Sequence, residues 1–388
     1  MPEIWDSWVP GVLSRDQVHK LCENGLVSGV SNKNTIDHSS LDLHVTDEVY
    51  HLVKGSVKPF GEGFLREVTT EGLARRVEPD SAGQFPLLPK NTYLFCLRER
   101  LDGLRGKALW GQATAKSSVG RLDVLARLIV DGMKRYEGFT PEEISTGRSS
   151  MFLEVTPITF PVLVRPGISL SQLRLFYGSP DECELKGPEI ARTCLAGQGT
   201  DHHLTVDLTT VEIIGVRGCG FRARTPSSVE EPIPLWTDSS VSKPDPSNWW
   251  ELVRPDAGDR IRITKNHFYI LRSKERLTVP PGVAVYARAI DEEIGEMRIH
   301  YAGFAHPLFG WSRGDALRGT PLIFEVRGHD VDVSLRNREI LARLKFFRMS
   351  EDAPESAQVD TSYNEQNLKL SKCFAEWSTA PRMVDDES

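Results

Sequence analysis

At 388 residues the chain is long enough for two domains with full hydrophobic cores. It is 39% apolar and 26% charged, which excludes global disorder. Its net charge of −7 excludes bulk attraction to nucleic acid, so any phosphate site must be local.

In chain order, residues 14–25 read as a helix: Ser14 caps it, Gln17 completes a capping box, Val18, Leu21 and Cys22 form one apolar face, and Gly25 ends it. Leu41, Leu43 and Val45 alternate with polar residues as in a strand, and a further strand, TYLFCL, lies within 84–101. DVLARLIVDG reads as a strand or hairpin arm, and residues 133–149 as an inserted surface loop or lid. Two strands follow around the Arg165-Pro166-Gly167 turn. Residues 179–200 read as an interdomain connection, and the Pro- and Ser-rich 225–260 as a strap held by Trp236, Trp249 and Trp250 on the surface rather than by sheet pairing. Short apolar runs rich in Val, Ile, Leu and Phe, between plentiful Pro and Gly, predict a mainly β protein.

No stretch approaches the ~18 apolar residues of a membrane span. The opening residues, with Glu3 and Asp6, have no basic-then-apolar leader, and the six cysteines have no CxxC. These features predict a soluble, cytoplasmic protein with reduced thiols and neither membrane nor nucleic acid as partner.

A gapless repeat organises the rest. FLEVTPITFPVLVRPGISLSQLRLFY, from Phe152, aligns with IFEVRGHDVDVSLRNREILARLKFFR, from Ile323, so that Glu154 falls on Glu325, Arg165 on Arg336 and Phe176 on Phe347. The chain therefore reads as two tandem β domains, 1–195 and 196–388.

Two pieces of the first copy suit a nucleotide. In KSSVGRL, Lys116 offers charge, Ser117 and Ser118 hydroxyls, Gly120 a close approach for backbone N–H groups, and Arg121 a planar fork. In FLEV, Glu154 shares a strand face with Phe152, which permits a raised pKa. Each alone is weak evidence: most Lys-Ser-Ser turns are solvated loops, and a lone Glu in a strand usually points to solvent. The second copy replaces KSSVGRL with the acidic EEIGEMR and carries a glycine- and aromatic-rich hairpin, HYAGFAHPLFGW, at 300–311.

Taken in order, these pieces resemble the dCTP deaminase branch of the dUTPase superfamily in its long, two-domain form. IDHSSLDLHV resembles the family's SxDL strand, KSSVGRL its RSSLGRL phosphate loop, FLEV its catalytic strand, VRPGISLSQLRLF its LxPGMxIxQLxF hairpin, and HYAGFAHPLFGW its HxTAGFIDPGF hairpin. SYNEQNLKLSK resembles the family's closing C-terminal segment. The resemblance implies tandem distorted β-barrel or jelly-roll domains with a few short helices, a homo-oligomer of trimer-type symmetry, and sites between domains. It implies hydrolytic deamination of dCTP to dUTP and ammonia, supplying dUTP for dUMP and dTTP synthesis, with Mg²⁺ on the triphosphate and no catalytic metal.

By position, Glu154 would be catalytic, and Lys116, Ser117, Ser118, Gly120 and Arg121 would hold the phosphates. His300, Tyr301, Ala302, Gly303, Phe304 and His306 would form the base or sugar hairpin, Asp131 a first-half substitute for its aspartate, and Tyr363, Lys369 and Lys372 a lid. The chain departs from the family at Lys116 (usually Arg), His306 (usually Asp) and Leu308 (usually Gly). A zinc deaminase is excluded by the absence of H-x-E with PCxxC. A dUTPase, a bifunctional enzyme that continues to dUMP, and a catalytically silent nucleotide-binding relative are the alternatives.

Overall fold

A computed structural model describes residues 4–31, 35–146, 150–199, 201–224, 231–289, 297–300, 303–311, 319–354 and 367–384. The helix Arg15–Glu23 forms as its capping box requires: Gln17 N donates to Ser14 Oγ at 3.3 Å and Ser14 N to Gln17 Oε1 at 2.9 Å. Strands make up most of the remaining regular structure, with a few short helices between them. The principal sheet of the first half runs Val124–Val130, Met151–Pro157, Thr92–Leu97, Leu41–Leu52, Ser169–Tyr177, Leu109–Ala115 and Gly138–Phe139. In the second half one sheet is built on Phe268–Leu277 and Thr320–Gly328 and another on Val283–Ala289 and Ile340–Arg348.

The repeat is visible in the pairing. Met151–Pro157 lies between Thr92–Leu97 and Val124–Val130, as Thr320–Gly328 lies between Phe268–Leu277 and Met297–His300. Ser169–Tyr177 and Ile340–Arg348 begin and end on equivalent residues of the alignment. The mainly β, barrel-like architecture expected from the sequence is therefore the one found.

Several local expectations change. Residues 133–149 are no simple surface loop: Met133, Phe139 and Ile144 are buried, and Gly138–Phe139 pairs with Leu109–Ala115. The 179–200 connection contains helices Pro180–Cys183 and Pro188–Cys194, and Glu184–Leu185 pairs with Ile340–Arg348, so this stretch packs with the second half before residue 195 is reached. The strap is sheet-paired at Ile233–Pro234 and Trp250–Val253, and Trp250 is fully buried. The large indole surfaces need apolar partners, and Phe160 supplies one from the first half, edge-on to both Trp249 and Trp250 at 5.4 Å.

The C-terminal segment completes that aromatic cluster. Phe374 stands 6.1 Å from Trp250 and 6.5 Å from Phe160, and Leu370 and Cys373 are buried beside it. Leu370, Ser371, Cys373 and Phe374 thus tie this segment into the core, with Lys369 and Lys372 exposed between them; Tyr363 lies outside the described residues. Phe374→Ala should therefore cost about 3–5 kcal/mol of stability, read as a lowered thermal midpoint, and truncation after Asp352 should yield a destabilised protein, not a soluble lidless one.

Candidate active site

The turn from the first half is a short helix, Ser117–Gly120, that leaves the end of the Leu109–Ala115 strand. Lys116 anchors it by donating its N–H to Leu170 O at 3.0 Å, and Val119 and Leu122 are buried beneath it. The polar side chains are thereby left at the surface of the half, facing the Thr320–Gly328 strand of the other. Gly120 is what allows that approach: a Cβ there would lie 2.2 Å from Glu325 Oε2.

A cavity of about 390 Å³ lies between the halves. On one side are Lys116, Ser117, Ser118, Gly120 and Arg121, and on the other Gly303, Phe304, His306 and Glu325, with Lys372 from the C-terminal segment. Asp37, His38, Gln172 and Arg288 also line it and were not singled out from the sequence. The His38 and His306 rings stack with centroids 4.7 Å apart. Phe304 is backed by the buried guanidinium of Arg174, 3.9 Å from its ring centroid.

The cationic side is held by specific contacts. Lys116 Nζ is 2.5 Å from Asp42 Oδ2. Arg121 donates to the carbonyl oxygen of Lys369 at 3.2 Å, and Ser371 Oγ donates to Ser118 O at 2.6 Å, so the C-terminal segment braces the turn. Lys369 contributes its backbone oxygen here. Glu325 is 7% exposed, and burial raises its pKa from the ordinary 4.5 to about 8; Arg121 opposes the rise and Asp123 adds to it.

Glu154 is not on this cavity. It accepts from Ser56 Oγ (2.7 Å), Val57 N (3.2 Å), Tyr136 OH (3.2 Å) and Arg127 Nη2 (2.5 Å) on the far side of the first half. The equivalent strand positions thus have opposite environments: Glu154 is enclosed by partners from its own half, and Glu325 faces the other half's turn. Asp131 is also elsewhere, accepting from Phe64 N at 3.0 Å and lining a separate groove. His300 lies in a strand paired with Glu325, and Tyr301 and Ala302 lie outside the described residues. The repeat alignment named Glu325, but sequence could not show that a turn and a carboxylate from different copies would meet.

The comparisons identify the family. The family model for the 2'-deoxycytidine 5'-triphosphate deaminase N-terminal domain matches residues 9–179, and that for its C-terminal domain matches residues 189–374. Among solved structures, a 2'-deoxycytidine 5'-triphosphate deaminase from Agrobacterium tumefaciens is 25% identical, with a TM-score of 0.75, over 89% of this chain and 99% of that one. Among curated proteins, none matches.

Two outcomes follow from the geometry. Gly120→Ala must push Glu325 or the turn aside, so the variant should fold but lose most nucleotide binding in a calorimetric titration. The raised pKa of Glu325 fixes a pH dependence. Between its unfolded value and about 8 the folded protein keeps a proton that the unfolded chain releases, so this group's stability contribution is lost as pH rises. Glu325→Gln removes that loss, and the thermal midpoint of the variant minus that of the parent should become more positive from about pH 5 to about pH 8.

Proposed function

Because the chain belongs to the 2'-deoxycytidine 5'-triphosphate deaminase family, we propose that the cavity between its halves is where dCTP is hydrolysed to dUTP and ammonia, with Glu325 carrying the protons. The observation behind this reading is a buried carboxyl, raised to about 8, that lies against a cationic hydroxyl-bearing turn and lines with it one nucleotide-sized cavity. A general base works only where the substrate is held, and Glu325, unlike Glu154, shares the cavity with the phosphate-binding residues.

The triphosphate, entering as its Mg²⁺ complex, lies along Ser117, Ser118, Arg121 and Lys372, with Lys116 at the turn's start. The base then points toward Glu325 and Phe304. Ionised Glu325 takes a proton from water as the oxygen adds to C4 of cytosine. It delivers that proton to the ring nitrogen, then takes the second proton from the new C4 hydroxyl and passes it to the amine; the C4–N4 bond breaks, ammonia leaves and the C4 carbonyl forms. A pKa near the working pH suits a group that must both take and give the same proton. Hydrolysis between phosphates, the dUTPase alternative, would require an aspartate on the 300–311 hairpin, and His306 stands there, stacked on His38. Water activation by Glu325 requires no zinc.

Glu325→Gln keeps size and hydrogen bonding but removes the titrating group, and should lower turnover by at least ~10²-fold with little change in dCTP affinity. Glu154→Gln should leave turnover nearly unchanged and cost about 1–3 kcal/mol, because a buried, multiply bonded carboxylate is lost. The check is ammonia release from dCTP, with thermal melting on the same preparations. Full turnover by the Glu325 variant, or loss of turnover on zinc-selective chelation with Mg²⁺ in excess, would overturn the mechanism.

A further inference from the structure

We propose that Asp123 and Arg327 form a positioning pair that sets where Glu325 stands over the turn. This rests on the reading of Glu325 as the proton carrier. Arg327 is two residues beyond Glu325 in the Thr320–Gly328 strand, so both side chains leave the same face. Asp123 is three residues beyond Gly120, and its N–H donates to Gly120 O at 2.9 Å. The strand therefore meets the turn at two points: Glu325 lies against Gly120, and Arg327 Nη1 is 2.5 Å from Asp123 Oδ2. One contact would leave the strand free to tilt across the turn; two fix both height and angle.

The surroundings are built to hold this pair. Asp123 is fully buried and has φ of +56°, a left-handed conformation that a non-glycine residue adopts only when its environment compensates. Its main-chain oxygen accepts from Ile158 N at 2.9 Å, and Thr159 Oγ1 donates to Oδ2 at 2.5 Å. Arg327 uses both terminal nitrogens: Nη1 also reaches Thr159 Oγ1 at 3.0 Å, and Nη2 donates to Asn266 O at 3.0 Å. One guanidinium thus ties the segment after the turn, the Thr159 loop and the Asn266 loop to the strand that carries Glu325.

Asp123, paired with the Arg327 charge, also acts on the field at Glu325. Asp123 favours the protonated carboxyl and Arg121 the ionised one. Lys372, His38 and His306 face the same cavity, and Arg327 on Glu325's own strand offsets the Asp123 charge. Removing either member therefore shifts the proton affinity of Glu325 in opposite senses. A purely structural ion pair has no such signature.

The test uses the full chain with Arg327→Met, Asp123→Asn, the double variant and the conservative Arg327→Lys, measured by ammonia release from dCTP across pH. Both single charge-removing variants should lose turnover by about 10²-fold, the scale of a small misplacement of a catalytic group, with KM for dCTP within about 3-fold. The acid limb of kcat/KM should move to higher pH in Arg327→Met and to lower pH in Asp123→Asn. The double variant should restore the limb while turnover stays low, and Arg327→Lys should retain the limb and recover part of the turnover. Thermal melting and the folded fraction are recorded for each, and turnover is expressed per folded enzyme. If Arg327→Lys and whichever other variants fold keep parental turnover and an unmoved limb, the pair is structural only and the inference fails. Glu325→Gln separates the two readings: an active variant overturns the role of Glu325 itself, whereas an inactive one beside a normal Arg327→Met overturns only the positioning pair.

Discussion

The site depends on a close approach in which Gly120, having no side chain, lets the Glu325 carboxylate lie against the Ser117–Gly120 turn. The absence of a Cβ permits the distance, and the distance buries Glu325. Burial then raises the carboxyl's pKa toward the range where it can exchange a proton at working pH. The turn's own shape comes from the Leu170 anchor and the packing of Val119 and Leu122, so the polar face is fixed before any ligand arrives.

The two copies of the fold differ in what surrounds an equivalent residue. In the first half Arg127, Tyr136, Ser56 and Val57 close around Glu154, and the Arg127 guanidinium lies 4.2 Å from the Tyr136 ring centroid. In the second half the corresponding carboxyl receives a cavity and the cationic turn of the other copy. Duplication supplied two carboxylates, and docking one half against the other left one of them facing a substrate-sized space.

The C-terminal segment links this site to the core. Its backbone oxygens receive Arg121, Ser371 braces the turn, and a few residues later Phe374 enters the cluster of Phe160, Trp249 and Trp250. Stability and site geometry are therefore connected through one short stretch: loosening the aromatic cluster also loosens the brace on Ser118 and Arg121.

Local rules were enough for much of the molecule. The capping box at Ser14 and Gln17 forms, the strand patterns form strands, and the gapless repeat returns as equivalent pairings in the two halves. The KSSVGRL composition marked the residues that line one side of the cavity, and HYAGFAHPLFGW marked Gly303, Phe304 and His306 on the other. These signals are short-range, carried by residue type, spacing and alternation. The choice between Glu154 and Glu325 was not legible, because both occupy the same strand position and differ only in partners brought from distant segments: Arg127 and Tyr136 for one, Gly120 and Asp123 for the other. The same holds for the buried tryptophans of the 225–260 stretch and for the C-terminal segment, whose polar sequence concealed a Phe374 destined for the core. Sequence determined the parts and their repeat; tertiary packing decided which turn faces which carboxylate, since a contact between two halves depends on how their surfaces dock and leaves no periodicity in either.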